Sequence, residues 1–158
     1  MHTTAKTALR RRKLSAPVKW LLDQGLLGQK ILDYGCGRGD DVRHLQQLKP
    51  QAFVEGWDPH WTEGSAPRDS YDTVLCTYVG NVLPLRERVE LWDQLATYHQ
   101  FVGSDVYVTV RRDGKGQTPS QDFEVDVAME HGAAWDLVRS TSQYAIYALR
   151  LVHGEERP

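Results

Sequence analysis

Apolar positions recur along the first 110 residues in two rhythms, and the switches between them mark out elements. Within Leu14–Leu27, Val18, Leu21 and Leu22 form an apolar helical face. Ser15 stands at the N-cap position, Pro17 in the first turn and Gly25 where a helix would end. Lys30–Asp33 is a brief apolar run that breaks into a glycine cluster, and Asp40–Leu48 returns to helical spacing through Val42, Leu45 and Leu48. Phe53–Trp57 reads as a second strand. Residues 30–58 therefore predict strand, glycine turn, helix, strand, a βαβ unit with a right-handed crossover. Tyr71–Cys76 predicts a third strand. Pro84 opens a helix reaching about His99, with Leu85, Val89, Trp92, Leu95 and Ala96 as its buried stripe. Asp105–Val110 has the continuous β-branched and aromatic character of a strand buried on both faces.

The pattern changes after that. Phe123–Val127 alternates, and Trp135–Arg139 and Tyr144–Leu151 look like a closing hairpin. Stretches 62–70 and 113–121, rich in Gly, Ser, Pro and charge, read as loops. Helices and strands alternate early and strands cluster late. The expected class is α/β, an open and mainly parallel sheet of Rossmann-like type with an antiparallel C-terminal edge. A chain of 158 residues fits one domain, here a basic arm at 1–13, a domain at 14–153 and a tail at 154–158.

Composition narrows the class further. Apolar residues make up 41% and charged residues 25%, the balance of an ordinary globular protein. No apolar run approaches the ~20 residues of a membrane helix, and the basic start lacks the apolar segment of a secretory signal. The expected setting is cytoplasmic, without a membrane. The two cysteines, Cys36 and Cys76, are then expected to stay reduced. Cys76 reads as core and Cys36 as a small filler. The six histidines are scattered without ligand spacing, so no metal site is expected. The net charge of −2 hides an asymmetry: the first 20 residues carry six Lys and Arg and no acid. Such an arm suggests a polyanionic partner such as nucleic acid, against the plainer reading of a solvated terminus. Oligomeric state is not set by the sequence, although an exposed sheet edge is a route to pairing.

The candidate chemistry sits in Asp33-Tyr34-Gly35-Cys36-Gly37-Arg38-Gly39-Asp40-Asp41. Glycines at alternate positions after a strand permit positive φ and let backbone approach a ligand. The turn falls at the carboxyl end of the first strand, where open α/β sheets bind ligands. A dinucleotide loop would aim a helix N-terminus at a pyrophosphate, but Asp40 and Asp41 at the helix start would repel one. Those acids, with Asp33, suit a positively charged ligand better, or else simply favour the helix N-terminus. S-adenosyl-L-methionine (SAM) carries a sulfonium and an α-ammonium and no phosphate. Asp58 ends the second strand, where a carboxylate can accept both ribose hydroxyls, or else act as a turn residue before Pro59.

These motifs, together with Leu14-Ser15-x-Pro17, Gly25-Leu26-Leu27, Gly56-Trp57-Asp58-Pro59 and Tyr78-Val79-x-Asn81-Val82-Leu83, make residues 3–113 resemble a known family. It is the class I methyltransferases linked to DNA phosphorothioation loci, with short relatives in phages. The resemblance implies a seven-stranded sheet binding SAM at the carboxyl ends of its first strands. Asp33, Gly35, Gly37 and Gly39 would line the methionine end and Asp58 the ribose. This chain departs from the pattern in one place: only 12 residues separate Asp58 from Tyr71. The usual helix and third strand cannot both fit, so the adenine wall must come from elsewhere, with Asp69 and Trp61 as candidates. The motifs of base amino-group and cytosine-C5 methylation are also absent.

Methyl transfer is an in-line displacement in which positioning supplies most of the rate, so no triad is required. The candidate catalytic residues follow strands: Tyr78 and Asn81 after one, Arg111, Arg112 and Asp113 after another. Tyr78 could place an acceptor, Asn81 hold cofactor or acceptor, and Arg111 grip a phosphate or carboxylate. His60 is a weaker base candidate, and His99 reads as structural. The expected function is SAM-dependent methylation of an unidentified acceptor, nucleic acid being one option. The alternative is a non-catalytic SAM-binding or nucleic-acid-binding accessory protein.

Overall fold

The computed structural model describes residues 10–112 and 133–151. Asp113, the expected loop at 113–121 and the alternating Phe123–Val127 lie outside the described residues, as do most of the expected arm and the tail. The elements run α1 (Ala16–Asp23), β1 (Lys30–Tyr34), α2 (Asp40–Leu48), β2 (Phe53–Trp57), β3 (Thr73–Thr77), a 3-10 turn (Gly80–Val82), α3 (Leu85–Val102), β4 (Asp105–Arg111), β5 (Ala133–Ser140) and β6 (Tyr144–Leu151). The α/β class is therefore observed.

Six strands form one sheet in the order β2-β1-β3-β4-β6-β5. The first four are mutually parallel, and β6 runs antiparallel to both β4 and β5. Strand β1 lies between β2 and β3, so the chain reverses its direction of travel across the sheet there. Register sets Tyr34 beside Trp57 and Thr77 beside Thr109, which brings the carboxyl ends of β1 to β4 to one edge. Residues 58–72 hold turns and bends but no strand or helix. The seventh strand implied by the resemblance has no place in that segment, and β2 is left as an edge.

Successive residues of a strand face opposite sides of a sheet, and here both sides are covered. Leu32, Val74, Val106 and Val108 pack with Trp92, Leu95 and Tyr98 of α3. Ile31, Leu75 and Tyr107 pack with Val18 and Leu21 of α1 and Val42 and Leu45 of α2. Burial on both faces explains why these strands read as continuous apolar runs rather than alternating ones.

Helix α1 is shorter than its predicted span and closes as its sequence implies. The Leu26 N–H donates to the Leu21 carbonyl at 3.1 Å and the Gly25 N–H to the Leu22 carbonyl at 3.0 Å, with Gly25 at φ 71. That double closure needs the left-handed backbone a glycine supplies. Two apolar positions at helical spacing come out exposed, one of them expected in the buried stripe of its helix. Leu85 is 55% exposed because it sits in the first turn of α3, where the buried face falls on Arg88, Leu91, Trp92 and Leu95. Leu48, at the end of α2, is 59% exposed beside the uncovered β2 edge.

Candidate functional site

The glycine turn leaves β1 at the reversal point and is fastened to the end of β2. The Gly35 and Cys36 N–H groups donate to the Trp57 carbonyl at 2.7 and 3.1 Å, and the Gly37 N–H donates to Asp58 Oδ2 at 2.9 Å. Gly35, Gly37 and Gly39 have φ values of 77°, 56° and 79°. Gly35 is also short of room, since a Cβ there would lie 2.5 Å from Val79 Cγ2. Across the turn, Gly56 on β2 makes space for Cys36, whose Sγ would lie 2.8 Å from a Cβ at that position. Burial pushes the Cys36 thiol up to about 12, with the Asp33 and Asp58 carboxylates adding to the effect. It is a packing group, not a nucleophile at neutral pH.

Asp58 is 7% exposed and takes a second N–H, from His60, at 2.9 Å on Oδ1. This is the turn role expected as its plainer reading, but each oxygen keeps acceptor capacity. Asp58 also lines a cavity of about 310 Å³ on the α3 side, with Tyr34, Gly35, Trp57, Val79, Leu83, Glu87 and Glu90 among its walls. The walls are apolar and aromatic at one end and carboxyl-bearing at the other, and no Lys or Arg lines it among the described residues. Such a site admits a flat ring and a cation and disfavours a phosphate. Tyr34, Trp57, Val79 and Leu83 fall inside the quoted motifs without being marked there as site residues, and Glu87 and Glu90 fall outside them. Asp69 and Trp61, the adenine-wall candidates, line other spaces. Asp69 borders a neighbouring cavity of about 670 Å³ and pairs with Lys30 at 2.6 Å. Trp61 is 47% exposed on the opposite side of the turn, with the Arg38 guanidinium 5.1 Å from its ring.

Asp33 is the group of the turn that chemistry marks most clearly. It is 4% exposed, and among the described residues no hydrogen-bond donor reaches its carboxylate. Burial raises its pKa to about 8; Asp41 and Asp58 add to this and Arg11 opposes it. A buried carboxyl held near neutrality beside a glycine turn is suited to a cationic group.

Asp40 and Asp41 require a correction. Both are buried in the first turn of α2, but both hold the preceding chain segment in place. Asp41 accepts the Ser15 N–H at 2.8 Å and the Ser15 hydroxyl at 2.7 Å. Ser15 occupies the N-cap position of α1, yet its hydroxyl makes no capping bond because Asp41 takes it. Asp40 accepts the Arg11 N–H at 2.7 Å and pairs with Arg43 and Arg10. Burial works against the Asp40 charge, but those partners prevail and lower its pKa. The acids that face a ligand space are instead Asp58, Glu87 and Glu90. Replacing Asp41 with Ala is expected to cost about 1–3 kcal/mol and to speed tryptic cleavage at Arg12 and Lys13, read by denaturation and by limited proteolysis.

Two of the three catalytic candidates come together. The Arg111 guanidinium carbon lies 5.0 Å from the centroid of the Tyr78 ring. Arg11, from the basic segment, approaches the same ring at 5.8 Å. Asn81, the third, is buried against the main chain of Arg111. It is 1% exposed, and its Oδ1 accepts the Arg111 N–H at 2.8 Å. It clamps the 3-10 turn to the end of β4 and so fixes the main chain of Arg111. His99 is structural, its Nδ1 lying 2.8 Å from the Ser104 carbonyl at the end of α3. Among the described residues no group of His, Cys, Asp and Glu could hold a metal ion, and no helix is long and apolar enough to cross a membrane.

No family model matches the chain, and no curated protein sequence does. Solved structures do match its fold. One is a magnesium protoporphyrin IX methyltransferase, ChlM, from Synechocystis PCC 6803 with bound SAM (17% identity, 85% of this chain, 76% of that chain, TM-score 0.58). Another is a SAM-dependent methyltransferase from Aquifex aeolicus (15% identity, 92% and 96%, TM-score 0.60). A third is the DhpI complex with SAH, S-adenosylhomocysteine (13% identity, 86% and 84%, TM-score 0.60). At these identities the likeness is one of fold.

Proposed function

We propose that the protein is a SAM-dependent methyltransferase. The observation that carries the reading is the acid-lined 310 Å³ cavity at the reversal point of the sheet, bounded by the glycine turn and Asp58. The fold it shares with SAM-bound methyltransferases supports the same reading. When bound, SAM would supply a methyl group on a sulfonium, the C–S electron pair returning to sulfur as the acceptor's lone pair takes the carbon. In this chain Asp58 would accept the ribose hydroxyls, and Val79, Leu83 and Trp57 would form the apolar walls about the adenine. Asp33 would face the ammonium, and Gly35 and Gly37 would let the methionine part pass close to backbone. Among these residues the protein's work is binding and alignment, which an in-line displacement chiefly needs.

Calorimetry with SAM and SAH tests the reading. Both are expected to bind, and Asp58→Asn is expected to weaken them by about 10–100-fold, the worth of one or two hydrogen bonds to a charged group. A folded protein that binds neither at millimolar concentration overturns it. Labelled-methyl transfer from SAM into nucleic acid, protein and small-molecule extract separates an enzyme from a SAM-binding accessory protein.

One observation favours nucleic acid as the acceptor. Arg10, Arg38 and Arg43 line a groove of about 460 Å³ beside the turn, with Trp61 in its wall. Cations around an exposed aromatic ring suit a phosphate backbone and an unstacked base. The motif resemblance to methyltransferases of DNA phosphorothioation loci and phages agrees with that reading. Binding to single-stranded DNA should then fall steeply with salt, with a shallower slope once Arg10 and Arg38 are removed.

A further inference from the structure

A second cavity adjoins the one bounded by the glycine turn. It measures about 670 Å³, and Trp57 and Gln94 belong to the walls of both. Its origin is the shortened stretch after Asp58. Residues 58–72 hold neither strand nor helix. The space between Trp57 of β2 and Gln94, Thr97 and Tyr98 of α3 is therefore closed by residues 65–70 alone. That closing stretch is fastened at three points. The Trp57 Nε1–H donates to the Gly64 carbonyl at 3.2 Å, and the Tyr98 hydroxyl donates to the Pro67 carbonyl. The Asp69 carboxylate pairs with Lys30 at 2.6 Å. The cavity is thus a set feature of the fold.

The two cavities differ in charge. The first carries Asp58, Glu87 and Glu90 and, among the described residues, no Lys or Arg. The second carries Arg68 and one acid, Asp69, whose charge Lys30 already answers. Arg68 is exposed, and among the described residues it stands in no ion pair or hydrogen bond. Burial pushes the Tyr34 and Tyr98 phenols up, and the Arg68 charge opposes this at both. That places the guanidinium at the cavity rather than away from it. Ser65 and Ser70 bring hydroxyls. The Tyr34 hydroxyl occupies Gln94 Oε1, which leaves the Nε2 amide as a donor. Trp57 and Tyr98 supply aromatic wall.

A guanidinium among hydroxyl and amide donors suits a phosphate. Aromatic wall suits a planar ring, and a space of this size holds both. We infer that this cavity is a second ligand site that takes a nucleoside phosphate, with the phosphate at Arg68 and the base against Trp57. The ligand is not the methyl acceptor. With the cofactor's adenine beside Trp57, the sulfonium lies toward Gly35 and Asp33, at the other end of the first cavity. The nucleotide is an effector, coupled to the cofactor through the shared Trp57 and Gln94, and such coupling is reciprocal. The effector role rests on the methyltransferase reading above; the site itself does not.

The test uses the full chain saturated with SAH, so that the first cavity is closed to nucleotides. AMP, GMP and UMP are titrated in turn. At least one is expected to bind, and its nucleoside and inorganic phosphate each at least about tenfold more weakly, since each keeps only part of the contacts. Arg68→Gln should weaken that nucleotide about tenfold or more and flatten its salt dependence, with SAH affinity changed less than about threefold. Thr97→Trp, which fills the cavity from α3, should abolish nucleotide binding while SAH affinity and the melting temperature hold. Nucleotide and SAH should shift each other's affinity by at least about twofold; no shift overturns the effector role. The site is overturned if no nucleotide binds at millimolar concentration, if the nucleoside binds equally well, if SAH is displaced, or if Arg68→Gln changes nothing. A 5′-phosphorylated oligonucleotide that binds where all three nucleotides fail overturns the assignment to a free nucleotide. If SAH does not bind, the methyltransferase reading falls and the titration is repeated without it. Weakening by Arg68→Gln and not by Asp58→Asn then upholds the second site, and the reverse overturns it.

Discussion

Replacing Asp33 with Asn is expected to make the ligand-free protein more stable and to weaken SAM binding at the same time. The folded pKa of Asp33 is raised from 3.8 to about 8, chiefly by burial. Between those values the folded chain keeps a proton that the unfolded chain has released. The stability associated with this group is therefore fully present below the unfolded pKa and is lost as pH rises toward 8. Across about pH 5–8 the loss is of the order of 3 kcal/mol, taking 1.36 kcal/mol per unit. An amide has no such proton, so the variant should melt roughly 5–10 °C higher at pH 8.5 and show a flatter dependence on pH. Binding should respond in the opposite sense. An ammonium at Asp33 favours the ionised carboxylate, so wild-type affinity for SAM should rise between about pH 6 and 7.5, by up to tenfold per unit, with release of a proton measurable by calorimetry in buffers of different ionisation enthalpy. In Asp33→Asn the affinity should drop about 10–100-fold and the proton release should vanish. A variant neither stabilised nor weakened in binding would show that Asp33 is an ordinary core residue.

The second large effect is expected at Gly35. Alanine there meets two obstacles at once. The backbone holds φ 77, and the new Cβ would lie 2.5 Å from Val79 Cγ2. The left-handed conformation costs an L-residue about 1–2 kcal/mol and forcing an extra carbon into a filled space about 1–3 kcal/mol, so the sum is about 2–5 kcal/mol. Val79 also walls the cavity beside Asp58. Relaxation of the clash therefore narrows the ligand space, and SAM binding should fail even at temperatures where the variant is folded. Paired replacement by Gly35→Ala and Val79→Ala should recover the clash portion but not the φ portion, as a double-mutant cycle on melting will show. Gly25→Ala is the useful contrast: its φ of 71° carries the strain, but nothing lies within 4 Å of the added carbon. It should cost only about 1–2 kcal/mol and leave binding intact.

Much of the fold is legible in the sequence because its signals are local. Glycine after a strand, a helix with a proline start and glycine stop, and apolar runs of strand length each state their element within a few residues. β2 and β6 take the predicted bounds, and α1, β3, α3 and β4 differ from theirs mainly at the ends. Leu85 and Leu48 come out exposed because helical spacing marks which residues share a face, not which of them a neighbour covers. Leu85 lies in the outermost turn of α3 and Leu48 beside an edge strand.

The site divides along the same line. The residue types and spacing of Asp33, Gly35, Gly37, Gly39 and Asp58 place a glycine turn and a strand-end carboxylate together, since a βαβ unit allows little else. The missing element after Asp58 is likewise readable, because 12 residues cannot hold a helix and a strand. Which carboxylates face the ligand space is a tertiary matter. Asp40 and Asp41 stand in the right place along the chain, yet a segment some 25–30 positions earlier folds back and takes their oxygens. Glu87 and Glu90, unremarkable on a helix surface by sequence, line the cavity because α3 packs on the face of the sheet that carries Tyr34. Tyr78 and Arg111 could be named as strand-end residues, but only the parallel pairing of β3 with β4 puts them 5.0 Å apart, and only the docked segment adds Arg11 to them. Backbone propensity and short-range spacing act within a few residues and are written in the chain. Side-chain company depends on contacts between segments some 25 or more positions apart, and these exist only once the sheet has formed.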